Sequence, residues 1–149
     1  MPAVQTTYAA MTAARVGQIA DMEDLTNAIS RSCETVAGIA MGSAVQRGAL
    51  AATCKAVGDG GATKFYGVAV RTQSRDANTP DLYQRYEDVS ILTKGVIWVT
   101  VNATVVQGDA AYYTTGGAFT SVVGTNTAIP NAVFDTSAAS GGLAILRLA

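Results

Sequence analysis

The chain of 149 residues carries 10 Lys+Arg and 11 Asp+Glu, and its charged fraction of 14% is far below the roughly 25% of an ordinary soluble domain. Apolar residues make up 49%, but they are mostly small or β-branched, with 27 Ala and 16 Val against 7 Leu and 7 Ile. The net charge of −1 argues against nucleic-acid binding through phosphate neutralisation. No apolar stretch is long enough for a membrane-spanning helix, and the first residues lack the pattern of a signal peptide.

Residues 1–24 differ from the rest of the chain, because their larger apolar residues are isolated and follow neither a helical nor a strand period. Residues 9–16 have good helix propensity, and Gly17 would end such a helix. We therefore predict an N-terminal arm over residues 1–24, extended or partly helical, that packs on another surface. Its apolar side chains are the candidate interface residues Tyr8, Met11, Val16, Ile19 and Met22.

From residue 25 onward the pattern is typical of β-strands, with short alternating runs and a turn signal every 8–12 residues. The predicted strands are 28–36, 42–47, 52–57, 64–73, 83–86, 88–93, 96–101, 109–115, 118–123, 133–136 and 142–148. This spacing predicts an all-β domain over residues 25–149, a small β-barrel or jelly-roll-like sandwich of short antiparallel strands.

Two glycine-containing dipeptides predict hairpin turns, namely Lys94-Gly95 and Gly116-Gly117. The run 96–101 is apolar at nearly every position, so it should be a central strand covered on both faces, with Trp98 in the core. Tyr112 and Tyr113 are adjacent in a predicted strand, so one should lie in the core and the other at the surface or in an interface.

The residue types needed for common catalysis and metal binding are missing. The chain has no histidine and no CxxC motif, which removes the usual general base, the usual partner of a Ser or Cys nucleophile and the usual zinc sites. Cys33 and Cys54 lie in a chain without an export signal, so we expect two reduced, buried thiols, with a disulfide or redox pair as the alternative. We predict no enzymatic activity, no cofactor and no metal.

An acidic cluster, Asp21, Glu23 and Asp24, lacks the spacing of a calcium loop. We expect a solvated or inter-subunit ion pair instead, with Arg15 and Arg31 as candidate partners. The low charge and near-zero net charge leave the protein poorly protected against association, and this predicts a subunit of a larger assembly.

Six segments, in this order, resemble the capsid cement, or decoration, proteins of tailed double-stranded-DNA bacteriophages. They are GQIAD (17–21), ISRSCE (29–34), FYGVAVRTQ (65–73), DVSILTKGVIWVTV (88–101), QGDAAYYTTGG (107–117) and IPNAVFDTSAASGGLAILRL (129–148). Each segment alone is weak, but their order and the total length are fairly specific, and the similarity covers almost the whole chain.

The resemblance implies a barrel or jelly-roll-like domain on the outer surface of an icosahedral head, made in the host bacterial cytoplasm and assembled into the virion. Such proteins clamp neighbouring major capsid subunits against the pressure of the packaged DNA. They are oligomers, and for this chain a homotrimer is favoured and a homodimer is possible. The implied partners are the major capsid protein and further copies of the chain, with no nucleic acid, membrane or small-molecule substrate.

Two further functions stay open at this point, another virion component such as a head-fibre base or tail protein, and a carbohydrate-binding β module that would use Tyr112 or Tyr113. Loop residues add to the arm as candidate interface positions. These are Arg75, Asp76, Tyr83 and Arg85, chosen from their place in and beside the polar loop at 74–81.

Overall fold

The protein is built from β-strands. A computed structural model describes residues 14–21, 23, 26–60, 64–72 and 81–149. Its strands are β1 (Ile19–Asp21), β2 (Asn27–Cys33), β3 (Ile39–Ala40), β4 (Ala44–Arg47), β5 (Thr53–Ala56), β6 (Phe65–Ala69), β7 (Leu82–Tyr83), β8 (Asp88–Thr100), β9 (Ala110–Tyr113), β10 (Phe119–Thr120), β11 (Thr127–Phe134) and β12 (Leu143–Leu148). These segments contain no helix, and hence none able to cross a bilayer. The predicted all-β class is confirmed.

Five strands close into a ring. The first half of β8 pairs with β2, β2 with β5, β5 with β4, β4 with β6, and β6 again with β8. One of these pairings is parallel, with Cys33 opposite Cys54, whereas the sequence predicted antiparallel strands only. The reason is that the chain passes through β3 and turns back through β4 before β5, so that β5 runs in the direction of β2.

The predicted hairpin at Lys94-Gly95 is wrong, because β8 runs without interruption from Asp88 to Thr100. Up to Lys94 the strand pairs with β2, and from Gly95 onward it pairs with β12 and β1. Gly95 has a φ of 128°, a backbone conformation that favours glycine. Here the glycine marks the point where one strand passes from the barrel into a second sheet.

The second sheet has the order β8, β12, β11, β9 and β10. A parallel bridge between Val101 and Phe119 brings β10 back to the end of β8. The predicted hairpin between β9 and β10 is confirmed, since the N–H of Thr114 donates to the carbonyl oxygen of Ala118 at 2.9 Å and Gly117 has a φ of 83°. The molecule therefore combines a small barrel with a sheet that extends one of its strands.

Two apolar clusters follow from strand alternation. Val45, Ala69 and Ile91 point into the ring and join Cys33 and Cys54 there. The residues next to them in β4, β6 and β8 point the other way and pack on the second sheet; they are Ala44, Val68 and Leu92. The ring strands thus have apolar residues on both faces.

Trp98 is half-buried and lies outside the two clusters of buried residues, so its predicted place in the core is wrong. Its neighbours Ile97 and Val99 are fully buried and point to the core face of β8. Trp98 lies on the opposite face, next to Ile145 of β12, because strand side chains alternate between faces.

The two adjacent tyrosines lie as predicted on opposite faces. Tyr113 is buried and its ring stacks on that of Phe65 with the ring centroids 5.2 Å apart, while Tyr112 is half-buried. Of the two tyrosines that the carbohydrate-binding alternative would use, Tyr113 is therefore buried in the core.

Cys33 and Cys54 are free and buried, as predicted. Burial raises the pKa of Cys33, and it raises the pKa of Cys54 to about 12. At pH 8 only a fraction on the order of 10⁻⁴ of Cys54 is then the reactive thiolate. We expect iodoacetamide to leave the folded protein unmodified at pH 8 while both thiols react in guanidinium chloride, as read by intact mass. Rapid labelling of the folded protein at either residue would contradict this burial.

Candidate interaction surface

Gly17, within the predicted arm, is fixed to the barrel. Its N–H donates to the carbonyl oxygen of Trp98 at 2.7 Å, and its own carbonyl oxygen accepts from the N–H of Arg71 at 2.6 Å. Gly17 and Gly42 both have positive φ, 80° and 83°. A Cβ on Gly42 would overlap the side chain of Val16 and the backbone of Gly17, so the two segments touch backbone to backbone. The chain therefore enters the barrel at a fixed point.

Arg71 joins this point to the base of the polar loop. Its Nε donates to the carbonyl oxygen of Val16 at 2.7 Å, and its Nη1 forms an ion pair with Asp81. Arg71 and Asp81 lie on either side of residues 73–80, and the Arg71 side chain is only 16% exposed. Arg71 thus connects one described residue of each segment that the sequence predicts as interface, Val16 of the arm and Asp81 of the loop.

Tyr83 is buried and bonds to the two sequence neighbours of Arg71, next to the strand end that precedes the polar loop. It is 4% exposed, its hydroxyl donates to the carbonyl oxygen of Val70 at 2.6 Å, and Thr72 Oγ1 donates to it at 3.2 Å. Its strand β7 pairs with β3, where Ile39 is opposite Tyr83. Within one chain Tyr83 therefore holds the base of the loop and offers little surface of its own.

Arg85 is exposed and lies beside an open cleft of about 460 Å³. Its guanidinium carbon is 4.7 Å from the centroid of the Tyr86 ring, and Tyr86 itself is 74% exposed with a φ of 70°. Leu50 lies across the same cleft and is 69% exposed. An exposed tyrosine in a strained backbone conformation beside an exposed leucine is unusual for a solvated surface.

Sequence reasoning missed Tyr86 and Leu50. Tyr86 lies among polar residues and Leu50 lies in an alanine-rich turn, and single exposed apolar residues are common. The one available signal was Tyr86 directly after Arg85, a pair suited to cation–π stacking.

Glu34 forms the polar side of this cleft. Its carboxylate accepts from the Thr53 hydroxyl and from the N–H of Ala49 at 3.0 Å. The hydrogen bond from Thr53 is the main cause that lowers the pKa of Glu34 below its usual value, and the bond from Ala49 is the second cause. These bonds fix the 49–53 turn that carries Leu50 to the rim.

The lowered pKa gives a signed pH dependence. Because the folded state favours the Glu34 carboxylate, its contribution is complete above the unfolded pKa of about 4.3 and is lost as pH falls through the folded pKa. We expect the urea midpoint of the native chain to fall more steeply below pH 5 than that of Glu34→Gln. Parallel midpoint curves for the two proteins from pH 7 to pH 3 would contradict this role.

The ion pairs of Glu23 differ from those expected. Glu23 pairs with Arg147 at 2.6 Å, and Arg147 also pairs with Asp135 at 2.7 Å, whereas the sequence pointed to Arg15 or Arg31. The hydrogen bond to Asp135, and to a smaller extent the one to Glu23, raises the pKa of Arg147. The sequence did not indicate Arg147 as the partner of Glu23 because the two residues lie far apart in the chain, and only the β8–β12 pairing brings Arg147 near the start of the chain.

Within the described segments no group of three His, Cys, Asp or Glu residues could hold a metal ion.

Four of the nine candidate interface residues can be placed. Val16 and Ile19 are half-buried against the barrel, with Ile19 opposite Ile97, Tyr83 is buried and Arg85 is exposed. The other five lie outside the described residues; they are Tyr8, Met11, Met22, Arg75 and Asp76.

Comparison with known proteins identifies the family. The model of a family described as "Structural cement protein (E217 gp24/Pam3 gp6)" matches residues 4–149. The chain belongs to this family of phage structural cement proteins. One solved structure, "The capsid of Myoviridae Phage XM1", contains a chain that is 16% identical, with a TM-score of 0.75 over 99% of this chain and 98% of that one. No curated protein sequence matches significantly.

The family match confirms the resemblance to capsid cement proteins. The fold confirms the barrel-like architecture predicted from the sequence. At 16% identity the likeness to the phage XM1 chain concerns the fold. The family match assigns a structural role in a phage capsid.

Proposed function

We propose that this cement protein sits on the outer surface of an icosahedral phage head and clamps neighbouring major capsid subunits against the pressure of the packaged DNA. The observation that carries the proposal is the meeting of two segments at Arg71. The guanidinium bonds to Val16, beside the point where the chain enters the barrel, and to Asp81, the last residue of the predicted polar loop 74–81. Because these two contacts hold Val16 and Asp81 at the same end of the barrel, we infer that this end faces the shell.

The number of residues before the barrel suits a clamp. Thirteen residues precede Ala14, and an extended chain of that length reaches at most about 45 Å. A barrel on one capsid subunit can therefore contact a neighbouring subunit through the arm. The two contacts act together, since the second becomes intramolecular once the first has formed.

Self-association fits the same role. Only 14% of the residues are charged, and the buried parts of interfaces are depleted in charged residues. We favour a homotrimer, with a homodimer as the alternative, because cement proteins placed on symmetry axes repeat their contacts by symmetry. Light scattering distinguishes the two by a mass of three or two times 15.2 kDa.

The proposal is tested by adding fluorescently labelled protein to emptied and filled phage heads stripped of cement. We expect labelling over the whole head and higher resistance of the particles to heat. Label at a single vertex or on the tail would instead favour a head-fibre base or tail protein.

A further inference from the structure

We propose that Cys33 and Cys54 are a redox-modification site, at which a peroxide joins the two thiols in a disulfide that links β2 to β5. In the parallel pairing of these strands Cys33 is directly opposite Cys54. Neighbouring strands lie about 4.8 Å apart, and disulfides join residues whose Cα atoms are roughly 4.4–6.8 Å apart. The register therefore places the two cysteines within the span that a disulfide bridges.

The two side chains lie on the same face of the sheet. Both cysteines belong to the apolar cluster inside the ring. The Cys54 thiol crosses to β2, where it donates to the carbonyl oxygen of Arg31 at 3.8 Å. Burial is the main cause that raises the pKa of Cys54 and the neighbouring Cys33 is the second cause, which supports the closeness of the two sulfur atoms.

The two thiols differ in their access to solvent. Cys33 is 1% exposed but is among the described residues that line the open cleft beside Arg85, and Cys54 is not among them. A peroxide brings two oxygen atoms to the sulfur and is smaller than iodoacetamide, so it can reach a thiol at the base of this cleft. Cys33 is therefore the residue that meets the oxidant, and Cys54 is the resolving residue.

The reaction takes two steps. The Cys33 sulfur attacks one peroxide oxygen, the O–O bond breaks, and the departing hydroxide takes the thiol proton as water, which leaves a sulfenic acid on Cys33. The Cys54 sulfur then attacks the Cys33 sulfur, the S–O bond breaks, and the second hydroxide leaves as water with the Cys54 proton. Two thiols lose two electrons and one peroxide is reduced to two waters. The raised pKa values of both thiols make this reaction slow.

The disulfide would reinforce the one parallel pairing of the ring. Parallel pairs are slightly less stable per residue than antiparallel ones, and the bond closes a loop over residues 34–53, which restricts the unfolded chain. The proposed place on the outside of a phage head would expose the pair to an oxidising environment, in which disulfides persist.

The test treats the isolated native protein with hydrogen peroxide at pH 8 for a day. We expect the free thiols, counted in guanidinium chloride, to fall from two to none. Trypsin should then release peptides 32–47 and 48–55 joined by a bond that dithiothreitol cleaves. The thermal midpoint should rise by at least about 5 °C and return to its starting value on reduction.

Two variants test the order of attack. In Cys54→Ser the Cys33 sulfur has no resolving partner, so peroxide should oxidise it to the sulfenic and sulfinic acids. In Cys33→Ser the Cys54 thiol should stay free, because it does not line the cleft.

The native protein alone can overturn the inference. Two thiols that survive peroxide, a sulfinic acid on Cys33 beside a free Cys54, or a disulfide between two chains would each do so. A disulfide that leaves the thermal midpoint unchanged would overturn its stabilising role. These results are independent of the labelling of phage heads, so failure here leaves the proposed function standing.

Discussion

A variant that lacks residues 1–13 is expected to keep a folded barrel and to bind cement-free heads at least about tenfold more weakly, a loss of about 1.4 kcal/mol or more. The contacts of Gly17 with Trp98 and Arg71 stay intact in this variant. An unchanged thermal midpoint together with weaker head binding would therefore assign the loss to contacts with the head. The measurements are the thermal midpoint of the free protein and the affinity for heads from co-sedimentation.

The matched control is a variant that lacks residues 1–20. It also removes the hydrogen bonds of Gly17 and most of β1, which pairs with Ile97 and Val96 of β8. We expect a lower thermal midpoint for this variant only. Head binding within about twofold of the native chain after removal of residues 1–13, too small a change to reflect lost anchor contacts, would contradict the role of the arm.

Leu146→Ala is expected to lower the free energy of unfolding by about 2–5 kcal/mol. Leu146 is fully buried, faces the larger apolar cluster and lies opposite Ile97 of β8. Truncation leaves a cavity where the second sheet packs on the barrel strands. For a chain of this size the thermal midpoint should fall by about 5–15 °C, measured by circular dichroism together with urea unfolding.

The neighbouring residue provides the matched control. Ile145 precedes Leu146 in β12 but is half-buried on the opposite face, beside Trp98. Ile145→Ala should cost only about 1 kcal/mol. Equal losses for the two variants would mean that the faces of β12 are not divided as the structure has them.

The strand pattern could be predicted from the sequence because alternation and turn residues are local signals. The hairpin at Gly116-Gly117 is such a case. Lys94-Gly95 carries the same local signal, yet β8 continues through it, because its two halves find different partners far away in the chain, namely β2 and β12. A strand that changes its pairing partner carries no local signal in the sequence. A glycine at such a point therefore cannot be told from a glycine in a hairpin turn by its neighbours in sequence.

The candidate interaction surface could be outlined from the sequence, and its interface residues stay predictions. The arm and the loop stood out by composition, but their meeting at Arg71 depends on contacts between residues 55 positions apart, from Val16 to Arg71. Tyr83 is a candidate interface residue because it lies beside the polar loop, and the β3–β7 pairing buries it within the chain.

A cryo-EM reconstruction of the phage particle that carries this protein tests the central claim most directly. We expect barrel density repeated over the outer face of the head, above boundaries between capsid subunits. The end that contains Arg71 and Asp81 should face the shell, with density for residues 1–13 on a neighbouring subunit. Barrel density confined to the tail or to one vertex, or an Arg71 end turned away from the shell, would contradict the account.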